Sequence, residues 1–244
     1  MSIRETAPFL HEALEDVYRA FKDVPLGRIE GCYCCVRDEH RKALLDVPLR
    51  KIEDITHFAW KSMTTWGDAQ TFQHFLPRIL EAMSGERFGI NPQIVAGKLM
   101  LAKWRAWPDR LRVPVAAWLD AYFNAALTAY PYEGNTETAL AVLVIAGFDL
   151  PSLLRQWSND HSPSALRERV LYVYDWHCGR SSEDHVPTTA FWDLKGNAQI
   201  ISTLRDWLLS DDTRNALLRG ESLGLVGGDN YVPELNFWWP ERLR

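Results

Sequence analysis

The chain has 244 residues, of which 47% are hydrophobic and 24% charged, with a net charge of −5. That profile is an ordinary globular one, long enough to bury a real core as one large helical domain or two small ones. It argues against nucleic-acid binding, which calls for a basic stripe, and the longest apolar run, residues 139–148, is too short to span a bilayer.

In chain order, Thr6 to Phe21 reads as a first helix with Leu10, Leu14, Val17, Tyr18 and Phe21 inward, stopped by Pro25 and Gly27. Residues 26–37 form an irregular connector holding three of the four cysteines, and Asp38 to Asp46 a short helix ended by Val47-Pro48. Ala59 to Met83 is the organising stretch. Phe72, Phe75, Leu76, Ile79, Leu80 and Met83 lie on one 3.6-residue stripe behind Asp68, a plausible N-cap. Ile52, Ile55, Ala59, Met63 and Trp66 follow a similar stripe, so two helices joined at Trp66-Gly67 are expected to form a hairpin. His74 and Glu81 fall on the opposite face of the second helix. Pro77, inside the better stripe, predicts a kink or break near Gln73 to Leu76.

Asn91-Pro92 is a cap followed by proline at the first helical position, and the helix it opens is expected to reach about Trp107. Pro114 starts the next, whose two apolar faces (Leu119, Phe123 and Leu127; Val115, Trp118 and Tyr122) predict cover on two sides. Thr138 to Phe148 is apolar all round and is expected to be the most buried segment. Ser162-Pro163 repeats the cap signal ahead of Leu166, Val170, Val173, Tyr174 and His177. Arg180 to Thr189 is polar and loop-like. Asp193 to Leu209, with Ile200, Ile201, Leu204, Trp207 and Leu208 at helical spacing, reads as a helix, and Asp211 caps a last one ending at Gly220. Residues 221–244, rich in glycine and closing on Phe237, Trp238 and Trp239, read as an extended tail docked on the helices.

The fold expected is therefore all-α: stacked helical hairpins, an irregular α-solenoid or bundle, in a single domain over residues 1–244. Residues 1–37 supply its first helix and the cysteine-containing connector. The start carries acids early and has no apolar h-region, so no secretory leader is expected. Four cysteines without one point to a reducing compartment, and the cytoplasm is the expected location.

Motifs of known chemistry do not stand out. Cys32 and Cys35 form a C-x-x-C pair, but the connector adds only His40, and a closed zinc site needs four ligands. No bound metal or cofactor is therefore expected; any metal present would sit on Cys32, Cys35 and His40. A thioredoxin-like reading of the pair lacks its strand-to-helix context. No residue is assigned a catalytic role. His57, Trp60, Lys61 and Thr64 share the outer face of the first hairpin helix. An exposed tryptophan beside His and Lys is either covered by a neighbouring helix, the expected case, or marks a contact surface. His57, Trp60 and Lys61 are accordingly the candidate binding residues. The eleven tryptophans are spread along the chain, as core aromatics are.

Thr64-Thr65-Trp66-Gly67-Asp68, then Phe72, Phe75-Leu76-Pro77-Arg78 and Leu80-Glu81, resembles a stretch in uncharacterised bacterial proteins of similar size. The C-x-x-C connector and the region from Phe191-Trp192 to Leu209 are similar too. The resemblance covers about half the chain. It implies a bacterial cytoplasmic origin and brings no activity with it.

The function these observations suggest is non-enzymatic: a protein-binding module whose partner is another protein, with a bacterial immunity or antitoxin-like inhibitor of a toxin domain as one concrete form. Two alternatives stand beside it. One is an enzyme, a hydrolase or a metal-dependent one, with a site near Cys32, Cys35 and His40. The other is a small-ligand-binding helical protein with a tryptophan-lined pocket.

Overall fold

The computed structural model describes residues 7–85, 88–128, 136–178 and 198–225. Eleven α-helices run through them: α1 Pro8–Phe21, α2 Asp38–Leu45, α3 Thr56–Lys61, α4 Ala69–Met83, α5 Pro92–Leu101, α6 Asp109–Thr128, α7 Thr136–Ile145, α8 Leu150–Asn159, α9 Pro163–Cys178, α10 Ala198–Leu208 and α11 Asp211–Ser222. Among the described residues there is no strand, only isolated bridges from Trp66 to Gly31 and to Ser62. The protein is all-α, and no described helix is long and apolar enough to cross a membrane. Two compact units divide it: Met1–Ala129 with Val142–Gly147, and Tyr130–Ala141 with Phe148–Arg244.

In the first unit, α1 begins at Pro8 and buries Leu10, Leu14, Val17, Tyr18 and Phe21 against α4 and α6. The stripe of α4 is buried in full, and Asp68 accepts the Thr71 N–H at 2.8 Å as its N-cap. Pro77 does not break it: the helix is continuous from Ala69 to Met83, and Phe75, Leu76, Ile79 and Leu80, buried on both sides of the proline, hold it together. The face opposite the stripe is also covered. His74 Nδ1–H donates to the Val24 carbonyl at 2.8 Å, and Glu81 accepts Tyr18 O–H at 2.6 Å. Arg78 donates to the Ile52 carbonyl at 2.8 Å. A period-based reading assigns these polar residues to solvent because it does not see the neighbouring segments that present hydroxyls and carbonyls to them.

The segment 52–66 is not one helix. A 3₁₀ turn covers Leu49–Lys51, α3 has only six residues, and Met63 stands at φ 58°. Ile52, Ile55, Ala59 and Trp66 are nevertheless buried, so the apolar stripe records burial on an irregular path. Two further boundaries move. The helix opened by Asn91, whose side chain accepts the Gln93 N–H, stops at Leu101, because Lys103 at φ 52° turns the chain into a 3₁₀ turn at Trp104–Ala106. The next helix begins at Asp109, ahead of Pro114, which lies within it. Both apolar faces of α6 are buried, including Val115, Trp118, Leu119, Phe123 and Leu127, as its two-sided pattern predicts.

In the second unit α8 packs on α10 and α9 on α11. Ser162 caps α9 through the Ala165 N–H at 3.2 Å, and Trp157 Nε1–H donates to the Ala165 carbonyl at 3.0 Å. Trp157 and Trp207 lie with ring centroids 5.2 Å apart, and Trp207 Nε1–H donates to Ser158 Oγ at 2.9 Å. Asp211 is the first residue of α11; the capping side chain is that of Ser210, which accepts the Thr213 N–H at 3.2 Å. The helix runs through Gly220 to Ser222. Of the segment Thr138 to Phe148, Ala139 to Leu143 and Ala146 are almost entirely buried, as the apolar run predicts, but Thr138, Val144, Ile145 and Phe148 are only partly buried and Gly147 is exposed, because the helix ends at Ile145. The side chains of Tyr174 and His177, the loop 180–189 and the docked aromatic tail expected from the sequence lie outside the described residues.

One glycine shows how closely the connector approaches α4. A Cβ at Gly27 would press on the Asp68 carboxylate and sit 2.7 Å from the Thr71 backbone nitrogen. Gly27→Ala is therefore expected to dislodge the Asp68 cap and cost about 1–2 kcal/mol, read as a lower thermal midpoint. An unchanged midpoint would show that the connector does not press on the cap.

Candidate functional site

The chemically notable side chains of the first unit gather where the connector meets the turn after α3. The connector has no helix of its own. Its shape comes from bonds to the segment 62–71. Gly67 N–H donates to the Glu30 carbonyl at 2.9 Å, Cys32 N–H to the Thr65 carbonyl at 2.8 Å, and Thr71 Oγ1–H to the Arg28 carbonyl at 2.6 Å. Trp66, only 2% exposed, donates from Nε1 to the Ile29 carbonyl at 3.1 Å. Gly31 lies so near that a Cβ there would be 2.9 Å from the Thr65 carbonyl oxygen. An open groove of about 370 Å³ follows this seam, with Glu30, Gly31 and Cys32 on one side and Thr64 to Gly67 on the other.

Beyond Gly31 the chain makes a tight turn: the N–H groups of Cys35 and Val36 both donate to the Cys32 carbonyl, at 2.9 and 2.8 Å. Buried Val36 anchors the turn, while Tyr33, 93% exposed, faces away. The result gathers three sulfurs. Cys32 Sγ is 2.8 Å from Cys34 Sγ, Cys34 Sγ is 3.6 Å from Cys35 Sγ, and all three lie within 4.8 Å of one another. The Cys34 thiol turned toward the Cys32 sulfur, with help from the Cys34 and Cys35 backbone N–H groups, holds the Cys32 thiol below its ordinary value. The same contact, with that to Cys35, pushes the Cys34 thiol up to about 11.

His40 is not one of this group. Its Nδ1 accepts the Arg37 N–H at 3.3 Å at the start of α2, and its ring stands edge-on to His57 at 4.6 Å. His57 in turn lies 5.5 Å from the Trp66 ring, and Phe58 5.3 Å from it on the same indole. Burial, then the nearby His40 ring and Lys61 ammonium, holds His57 below the ordinary histidine value. His57 is thus a member of an aromatic cluster with His40 and Trp66. Trp60 is different: half of its surface is exposed, and the Lys61 ammonium lies 3.7 Å from its ring centroid. A neighbouring helix does not cover it in full.

Beneath the turn lies a residue that the sequence does not advertise. Lys98 of α5 is buried, and its ammonium donates to the Ser62 carbonyl at 2.6 Å and approaches Thr64 Oγ1 at 3.4 Å. Burial, then the nearby Lys61 charge, lowers its pKa. The Lys61 carbonyl meanwhile receives the N–H groups of Thr64, Thr65 and Trp66, so the turn is held from below and within. The one available signal was that Lys98 is the sole charge in the apolar helix PQIVAGKLML. Cys34 was missed for a related reason: the C-x-x-C frame directs attention to Cys32 and Cys35, whereas the tight turn brings the intervening sulfur in as well.

Chemically, the seam offers three soft donors on an exposed turn, an open groove beside them, and a tryptophan–lysine pair on the adjoining helix. Set against protein-family models, curated proteins and solved structures, the chain matches none, and its functional reading rests on this geometry.

Proposed function

We propose that the protein is a non-enzymatic binding module that presents α3 and the turn after it to another protein. The observation that carries this reading is Trp60, half exposed beneath the Lys61 ammonium on a helix whose other side is buried at Phe58 and Ala59. Tryptophan supplies a large share of interface hot spots, because one rigid ring buries much area for little lost freedom. The net charge of −5 suits a basic partner. A bacterial immunity or antitoxin-like inhibitor of a toxin domain is one concrete form. In this reading the helices stack as hairpins, with residues 221–244 docked on them.

The test is capture from the native host with the tagged full chain, as wild type and as Trp60→Ala, each first checked for an unchanged melting curve. A stoichiometric partner held by the wild type should bind Trp60→Ala more weakly by about 2 kcal/mol, roughly thirtyfold. Equal retention by Trp60→Ala would sink the assignment of this face. A second reading, an enzyme working near Cys32, Cys35 and His40, draws support from the exposed sulfurs beside an open groove. It predicts that Cys32→Ser, not Trp60→Ala, is the damaging substitution.

A further inference from the structure

We propose that Cys32, Cys34 and Cys35 form a three-thiolate site for a soft monovalent metal ion, copper(I). The donor set decides the class of ion first. Three sulfurs and no oxygen donor suit soft metals and exclude the oxygen-seeking magnesium, calcium and manganese. The spacing fits as well. An ion at the usual metal–thiolate length of about 2.3 Å from each of three sulfurs sets them about 4 Å apart. The Cys34–Cys35 separation of 3.6 Å is already close to that, and the Cys32–Cys34 pair at 2.8 Å needs to open by only about 1 Å. Both side chains can do so by small rotations, because this stretch of the connector lies at the surface.

The number of donors then separates copper from zinc. Structural zinc takes four protein ligands in a closed tetrahedron. Among the described residues the ligand atoms that converge here are these three sulfurs, and His40 is engaged at the start of α2 and against His57. A trigonal set of thiolates is a complete shell for copper(I) but an unfinished one for zinc. Binding is a displacement of protons: each thiol gives one to solvent as its sulfur bonds the ion, and no electron is transferred. The turn itself is held in shape by Val36 and by the Cys32 N–H bond to Thr65, so the ligands are gathered before the ion arrives.

The experiment uses the reduced full chain without oxygen, titrated with copper(I) held by the chromophoric chelator bicinchoninate, and separately with zinc. Expected is one copper(I) per chain with an ultraviolet sulfur-to-copper band and an X-ray absorption spectrum of three sulfur neighbours. That binding should be lost in each of Cys32→Ser, Cys34→Ser and Cys35→Ser, and kept in Cys178→Ser and Trp60→Ala. Because Cys34 is exposed and Cys32 and Cys35 are only partly buried, the serine variants should keep the wild-type circular dichroism, which separates loss of a ligand from loss of the fold. Retention of copper by Cys34→Ser, or its loss in Cys178→Ser, would overturn the assignment. So would zinc binding at one per chain that copper(I) does not displace.

Discussion

Replacing Trp66 by alanine is expected to destabilise the first unit by about 3–5 kcal/mol, the range for deleting a large buried aromatic. The indole is nearly inaccessible and touches Phe58 and His57, with His40 close by, so its removal opens a cavity between α2, α3 and the connector. Its Nε1–H bond to the Ile29 carbonyl is lost as well. Trp66→Phe separates the two contributions: it keeps most of the packing and removes only the hydrogen bond, for about 1 kcal/mol or somewhat more. Urea unfolding followed by circular dichroism reads both. A loss under about 1 kcal/mol for the alanine variant would mean the connector closes over the gap, and that Trp66 is not its anchor.

The second large effect is expected at Asp212, and it should be asymmetric. Arg169 of α9 is 4% exposed and donates from Nη2 to Asp212 and Thr213 of α11, both at 2.6 Å, whereas the Asp212 side chain is 60% exposed. Asp212→Ala strands a buried guanidinium and is expected to cost about 3 kcal/mol. Arg169→Met removes the buried charge itself, lets Asp212 return to water, and leaves Thr213 bonded to the Trp207 carbonyl, so about 1 kcal/mol or less is expected. Equal losses in the two variants would contradict this account. The pair also predicts an acid dependence. Burial pushes the Asp212 carboxyl up, but the bond to Arg169 and its charge outweigh that and leave it below the ordinary carboxylate value. Its contribution is therefore fully present above the unfolded value of about 3.9 and fades as pH falls through the lower folded value. Asp212→Ala should flatten that part of the acid unfolding curve.

Much of the fold could be read from local chemistry because helix starts are local events. Asp68, Asn91 and Ser162 each sit one residue before a helix and accept an N–H from within its first turn. The stripe of α4 and the two faces of α6 were legible because their neighbours bury whole rows of side chains. What escaped depended on distant partners. Pro77 and Pro114 both sit inside helices, since packing on either side outweighs one missing donor. The stripe from Ile52 to Trp66 suggested a helix, but Met63 and the N–H groups converging on the Lys61 carbonyl make a turn of its last residues. At the site, the candidates separate: Trp60 and Lys61 pair at the surface, while His57 turns to His40 and Trp66. The three sulfurs converge through a local turn, the Cys35 and Val36 N–H groups on the Cys32 carbonyl, but where that turn is held depends on bonds from residues 65–71, which no pattern within residues 26–37 shows.

That dependence has a consequence for the order of events as the chain is made. The bonds that shape the connector join residues 37, 40 and 43 positions apart. On a ribosome the cysteines therefore emerge well before the segment that disciplines them, and in that interval they are three unstructured thiols. Closing so long a loop is paid for by the helical partner, not by the connector. Thiol reactivity in the nascent chain should thus report the arrival of α4, since the turn that carries the sulfurs is local but its anchorage to residues 65–71 is a property of tertiary structure.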